Sequence, residues 1–195
     1  MPPEPKRLFI AISLPSELRT LAQAAQKLLQ ERHRDLSCAW VPLEKMHLTL
    51  KFLGLQGQAQ IAQLSELLPL ALAGRSAFQL QLDAFDCFPA LAHARVIFWN
   101  VCPSPALMEL QQALEQLLLQ QDFAPAEHAY HPHLTLGRVR QPQAEPLRLP
   151  ESRLLAAVLP MPAWVWQVEQ IELLESVPSP NGFVYNTLER FLLRA

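Results

Sequence analysis

The order of apolar and polar positions divides the chain into alternating strand-like and helix-like segments. Arg7–Leu14, RLFIAISL, is an apolar run rich in Phe and Ile, the composition of a buried strand. Pro15 closes it, and Ser16 stands where a helix N-cap belongs. Leu18, Leu21, Ala25, Leu28 and Leu29 then fall on one face of a helix running to about Arg32. Residues 33–39 read as loop. Trp40 to Glu44 leads into a second strand over Met46–Leu53, ended by Gly54. A helix is predicted from about Ala59 to Ala73, with Gly74 as its stop. Phe78–Phe88 and Val96–Val101 read as two strands joined closely enough for a hairpin. Pro103, Ser104 and Pro105 open a helix to about Gln121, and a strand follows over His131–Val139. Residues 141–162 are proline-rich loop, with a short helical piece near Ser152–Ala157. Trp164–Glu175 and Phe183–Leu193 are predicted as final strands around a Pro-Ser-Pro-Asn-Gly turn at 178–182.

The spacing of these segments repeats. RLFIAISLP starts 40 residues before His47, and RVIFWNVCP starts 38 residues before His133. Both are followed by a helix, a loop, and a strand carrying His-Leu-Thr-Leu. The next strand-like segments, at Phe78 and Trp164, each start 31 residues past their histidine. The pattern predicts an internal duplication. It implies an α+β protein, bilobal, with two pseudo-symmetric lobes of antiparallel or mixed sheet, outer helices and a central cleft, all within one domain over 1–195.

His47-Leu48-Thr49-Leu50 and His133-Leu134-Thr135-Leu136 carry the chemistry. Residues two apart on a strand share a face, so each motif sends two leucines to its core and a His and a Thr to the opposite side. If the lobes face each other, two imidazoles and two hydroxyls meet in one cleft. Imidazole gives or takes a proton near neutrality, and a neutral–protonated pair supplies both a general base and a general acid. Threonine hydroxyls can hold phosphate oxygens as charge builds on them. A single such histidine is ordinarily a structural residue; two in matched contexts point to phosphodiester chemistry without a metal or other cofactor.

His131 shares the predicted face of His133, so the pair could alternatively be two metal ligands at i and i+2. His33, His93 and His128 fall in predicted loops, where they are solvated. Lys51 shares parity with His47 and is a candidate for the cleft or the surface. Phe9, Trp40 and Trp99 are candidates for stacking on a nucleobase.

Half of the residues are apolar and 17% are charged, which supports a sizeable core. No apolar run reaches the ~20 residues of a membrane helix. The start MPPEPKR lacks the pattern of a signal peptide, which implies a cytoplasmic protein. A net charge of −2 and the absence of a basic block argue against non-specific grip on long nucleic acid, not against a nucleotide ligand. Cys38, Cys87 and Cys102 are odd in number and far apart, so they are expected to be small buried thiols.

At these residues the chain resembles the RNA 2′,3′-cyclic phosphodiesterases, also called RNA 2′-5′ ligases, of the two-histidine phosphoesterase superfamily. The resemblance runs through RLFIAISLP at 7–15, WVPLEKMHLTLKFLG at 40–54, ARVIFWNV at 94–101, HPHLTLGR at 131–138 and the closing ES…GFVYNTLERF at 175–191. It implies RNA 3′ ends or cyclic nucleotides as substrate; small cleft enzymes often work as monomers, so a monomer is expected, and the apolar runs are too short for a membrane partner. It implies His47 as proton donor to the departing 3′ oxygen, His133 as the base that activates water, and Thr49 and Thr135 as phosphate holders. It also implies Arg138 as a cation of the site. Simple parity would turn Arg138 away from His133, so the assignment needs a bulge, and Gly137 is where the backbone angles could allow one. Three functional readings stay open: cyclic phosphate hydrolysis, the same chemistry run in reverse as a 2′-5′ ligase, and a non-catalytic RNA-end-binding module. No G-x-x-x-x-G-K loop is present for an ATP-driven route.

Overall fold

A computed structural model describes residues 4–141, 145–157, 164–180 and 182–194. Among the described residues, nine strands form a sheet that runs unbroken through both halves. They are β1 (Lys6–Ser13), β2 (Cys38–Trp40), β3 (His47–Gln56), β4 (Phe78–Phe88), β5 (Val96–Val101), β6 (His133–Val139), β7 (Val165–Val168), β8 (Gln170–Ser179) and β9 (Gly182–Leu192). The order across the sheet is β7-β4-β5-β6-β3-β1-β8-β9, with β2 paired to β6, and every pairing between these strands is antiparallel. Read outward from the β6–β3 junction, β5 takes the place of β1, and β4, which follows β3 in the chain, takes the place of β8, which follows β6. The expected duplication is therefore present, as two halves of one curled sheet.

Three helices, α1 (Arg19–Arg32), α2 (Gln58–Leu72) and α3 (Pro105–Leu119), belong to the same hydrophobic cluster as one face of that sheet. Their buried leucines, among them Leu21, Leu29, Leu64, Leu68, Leu110 and Leu114, pack with Leu8, Ile10, Leu48 and Leu134 of the strands. A separate small cluster of Phe9, Ala11 and Leu174, with Tyr185 against it, lies on the opposite face. Successive residues of β1 thus serve different faces, as the pleat requires.

Several boundaries differ from the sequence reading. Ser16 does not cap α1: Pro15 precedes a 3-10 turn over Ser16–Leu18, which runs directly into the helix. Ser104 does cap α3, its hydroxyl accepting from the Leu107 amide. Cys38 and Ala39, assigned to loop, form β2 together with Trp40, and three residues are too few to show a period. Leu43–Lys45 is a 3-10 turn, not a strand lead-in. Gly54 does not end β3; it sits inside the strand with φ +73°. The segment predicted as Trp164–Glu175 is broken at Glu169 into β7 and β8, and the expected strand at His131 starts at His133. The Ser152–Ala157 piece is a 3-10 helix. Part of the predicted 141–162 loop lies outside the described residues.

Candidate active site

The His strands β3 and β6 pair through Leu48 opposite Leu134. Antiparallel register around that pair sets Thr49 toward His133 and His47 toward Thr135. Both leucines are fully buried while the histidines and threonines are half-exposed, so each motif divides between core and cleft as its alternation requires. His47, Thr49, His133, Thr135 and Arg138 line a single cavity of about 390 Å³.

The rings are held alike. His47 Nδ1 lies 2.8 Å from the carbonyl oxygen of Lys45, and His133 Nδ1 lies 2.7 Å from that of His131. A carbonyl only accepts, so Nδ1 carries hydrogen in both and Nε2 is left for the cavity. Aromatic rings flank each imidazole: Phe9 and Tyr185 at centroid distances of 4.9 and 5.2 Å from His47, Phe98 and Phe88 at 5.0 and 5.3 Å from His133.

Burial pushes the pKa of His47 below the ordinary imidazole range, the Lys45 carbonyl opposes it, His133 and Arg138 add to the lowering, and Glu172 opposes it. Burial likewise lowers His133; the His131 carbonyl opposes, and His131 and Arg138 add to the lowering. Each ring's charge thus depends on the same guanidinium, and that of His47 also depends on the other ring.

Arg138 reaches the cavity because β6 carries a bulge. Phe98 pairs with Thr135 and Ile97 with Gly137, which leaves Leu136 unopposed and resets the alternation. Leu136 and Gly137 are consecutive buried positions, and Arg138 emerges on the cleft side. The bulge was expected, but its cause is different. Gly137 is not among the residues with positive φ. What it supplies is an absent side chain: a Cβ there would lie 2.5 Å from Cys38 Sγ and 3.0 Å from the Trp40 ring of β2.

The first half has the same irregularity at the same place. Ala11 pairs with Thr49 and Ile10 with Lys51, so Leu50 is unopposed. This overturns the parity placement of Lys51 in the cleft or on the surface. Its side chain is 2% exposed and donates to Glu115 Oε2 of α3 at 2.7 Å and to the Ala124 carbonyl at 2.9 Å. Phe52 takes the position corresponding to Arg138 and is 72% exposed at the cavity wall. The bulges also anchor helices across the junction. Gln26 of α1 donates to the carbonyls of Leu136 and Val41, while Glu115 of α3 receives Lys51.

Of the stacking candidates, Trp99 is a core residue whose indole N–H donates to the Asp83 carbonyl, and Trp40 packs beside Gly137. Phe9 does line the cavity, with Phe52, Phe88 and Tyr185, which the sequence reading missed. Arg7 and Lys45 were missed as well; with Arg138 they give the lining, among the described residues, three cationic side chains and no carboxylate. Nothing in the sequence pointed to Tyr185, and Lys45, in a 3-10 turn, lies outside the strand whose parity could have placed it.

His131 sends Nε2 to Asn100 Oδ1 at 2.8 Å, and its ring centroid is 6.1 Å from that of His133. Among the described residues, no group of three or more His, Cys, Asp or Glu side chains is placed to hold a metal ion. His33 meets the Arg148 carbonyl at 3.1 Å, whereas His93 and His128 are exposed as expected. The three cysteines are free, but only Cys87 is fully buried; Cys38 and Cys102 are partly exposed. No described helix is long and apolar enough to cross a membrane.

The curled antiparallel sheet is shared with solved structures. A crystal structure of a Thermus thermophilus protein matches with TM-score 0.80 and 26% identity, over 96% of this chain and 98% of that one. E. coli LigT complexed with 3′-AMP matches with TM-score 0.76 and 25% identity, over 97% and 99%. The family model of the 2′-5′ RNA ligase superfamily matches residues 14–178, and the chain belongs to that superfamily. More particularly, it is 28% identical to a protein of Methanothermobacter thermautotrophicus named RNA 2′,3′-cyclic phosphodiesterase, over 96% of this chain and 98% of the relative.

Proposed function

We propose that this protein hydrolyses 2′,3′-cyclic phosphates on RNA ends or nucleotides to 2′-phosphomonoesters without a metal, with His47 and His133 as its acid–base pair. The observation that carries the reading is the matched presentation of two imidazoles, each locked through Nδ1, to one cavity lined by cations and, among the described residues, no carboxylate. The names of the relatives agree with it.

His133, neutral, takes a proton from water through Nε2 as the water oxygen attacks phosphorus. The bond from phosphorus to the 3′ oxygen breaks, and His47, protonated, delivers its Nε2 proton to that oxygen. The 2′ ester remains, and the imidazoles have exchanged charge states, to be reset by solvent. Acid and base must stand on opposite sides of phosphorus for in-line displacement, and a pseudo-twofold site supplies that arrangement. Thr49, Thr135 and Arg138 hold the non-bridging oxygens, where donors fixed in advance stabilise developing charge. Phe9, Phe52 and Tyr185 give the base apolar surface. With a 5′-hydroxyl in place of water as the attacking group, the same steps make a 2′-5′ linkage, the reaction that gives the superfamily its name.

The test is turnover of 2′,3′-cyclic AMP in EDTA. Formation of 2′-AMP by the wild type, reduced about 10²–10⁴-fold in each of His47→Ala and His133→Ala, is expected. Release of 3′-AMP would reverse the leaving group, and activity lost in EDTA and restored by zinc would replace the metal-free mechanism.

A further inference from the structure

A twofold site poses a problem that the sequence motifs do not solve: two equivalent imidazoles must do opposite jobs. The register shows where the equivalence ends. Ser13 stands opposite His47, and Asn100 stands opposite His133. Two residues earlier on those strands, Ala11 stands opposite Glu172 of β8, and Phe98 stands opposite Asp86 of β4. Glu172 and Asp86 are therefore the same position in the two halves, each on the cleft side of its sheet.

They are placed very differently. Glu172 is 5% exposed. Its Oε2 accepts from Ser13 Oγ at 2.7 Å, and its Oε1 from Gln170 Nε2 at 3.1 Å and Arg190 Nε at 3.2 Å. Asp86, one methylene shorter, is exposed, and its carboxylate accepts the next amide of its own strand, Cys87 N–H, at 2.7 Å. Beside His133 the position opposite is occupied by Asn100, which engages His131, another potential cation. One histidine has a buried carboxylate two strands away, fixed by the serine that stands opposite the histidine in register. The other has an amide and a second imidazole.

We propose that Glu172, held by Ser13, is a positioning residue that breaks the symmetry of the site and makes His47 the proton donor. The proposal rests on the acid–base reading above. A buried carboxylate favours a cation nearby, because little water screens the pair. The charged and titratable groups around His47 are Lys45 from the 3-10 turn just before its strand, Arg7 from β1, His133 and Arg138 from β6, Tyr185 and Arg190 from β9, and Glu172 from β8. Glu172 is the sole acid of that set. It favours the protonated form of His47, and no carboxylate among the described residues does so for His133. Arg190, whose side chain is 60% exposed, partly offsets Glu172 from the solvent side.

The experiment is a titration of the histidine Cε1–H signals by NMR, which needs no substrate, together with pH profiles of kcat/KM. Signals are assigned with His47→Ala and His133→Ala. In Glu172→Gln the midpoint of His47 is expected to move down while that of His133 stays. The alkaline limb of kcat/KM moves down with it, giving a loss of about threefold to tenfold above the optimum. Arg190→Gln moves the His47 midpoint up, and keeps the test open if Glu172→Gln does not fold. Asp86→Asn leaves both midpoints in place. An unmoved His47 in Glu172→Gln, an equal shift of both rings, or an unmoved His47 in Arg190→Gln would each overturn the proposal. A protein that shows these shifts but turns over no cyclic phosphate would instead refute the hydrolase reading.

Discussion

Gly137→Ala is a one-methyl change with a calculable structural cost. The added Cβ would stand 2.5 Å from Cys38 Sγ and 3.0 Å from the Trp40 ring. Neither neighbour gives way easily. Trp40 is a stiff ring, and both residues belong to β2, which is pinned to β6 through Cys38–Val139, Ala39–Arg138 and Trp40–Gly137. Overpacking of this kind typically costs about 1–3 kcal/mol. For a chain of this length that corresponds to a fall in Tm of about 2–12 °C. Movement of β6 also carries Arg138 with it, and under the proposed phosphate-holding role a misplacement of about 1 Å can cost up to ~100-fold in rate. Thermal melts and kcat/KM of the variant measure both effects. Cys38→Ala in the same chain removes the sulfur and is expected to recover at least about 0.5 kcal/mol beyond additivity. The Cys38 thiol, pushed by burial up to about 11 with Arg140 opposing, is neutral, so packing is all that its removal changes. A Gly137→Ala protein that melts with the wild type and keeps its kcat/KM would refute the close-approach explanation of this glycine.

Glu115→Ala leaves the Lys51 ammonium buried with one carbonyl partner and is expected to cost about 2–3 kcal/mol in denaturant unfolding, whereas Lys51→Met stays within about 1 kcal/mol of wild type. Both histidine pKa values lie below the ordinary ~6.5, so the profile of kcat/KM, which reports the free enzyme, is expected to peak on the acid side of pH 6.5. The kcat profile shifts upward from it, because a bound phosphate's negative charge favours imidazolium; a kcat/KM optimum at or above pH 8 would contradict the assigned shifts. Arg138→Ala is expected to reduce kcat/KM by about 10²-fold, with Arg138→Lys recovering part of it, since one charge is kept and the planar donor fork is lost.

What could be read in the sequence was whatever has a period or a repeat. The strands Phe78–Phe88 and Val96–Val101 have the predicted ends, because alternation and flanking turn residues mark them. The His and Thr of each motif on one face and its two leucines on the other followed from parity over four residues. Parity failed at the fifth, in both halves, because a bulge depends on which partner residue is skipped, and pairing is not local. Hence Lys51 was placed on the wrong face, and Phe52 was not seen as the counterpart of Arg138. The same limit hid Glu172, Arg7 and Tyr185, which reach the site or its surroundings only through the order of strands β3, β1, β8 and β9. β2 was missed because three residues carry no periodic signal.

A crystal structure with a non-hydrolysable 2′,3′-cyclic phosphate analogue tests the convergence of the two halves most directly. The expected complex has Nε2 of His47 and Nε2 of His133 each within about 2.6–3.2 Å of an oxygen, or of the attacking water, on one phosphorus atom, from opposite sides. A ligand phosphate held by one imidazole alone, with the other ring pointing to separate solvent, would contradict the account.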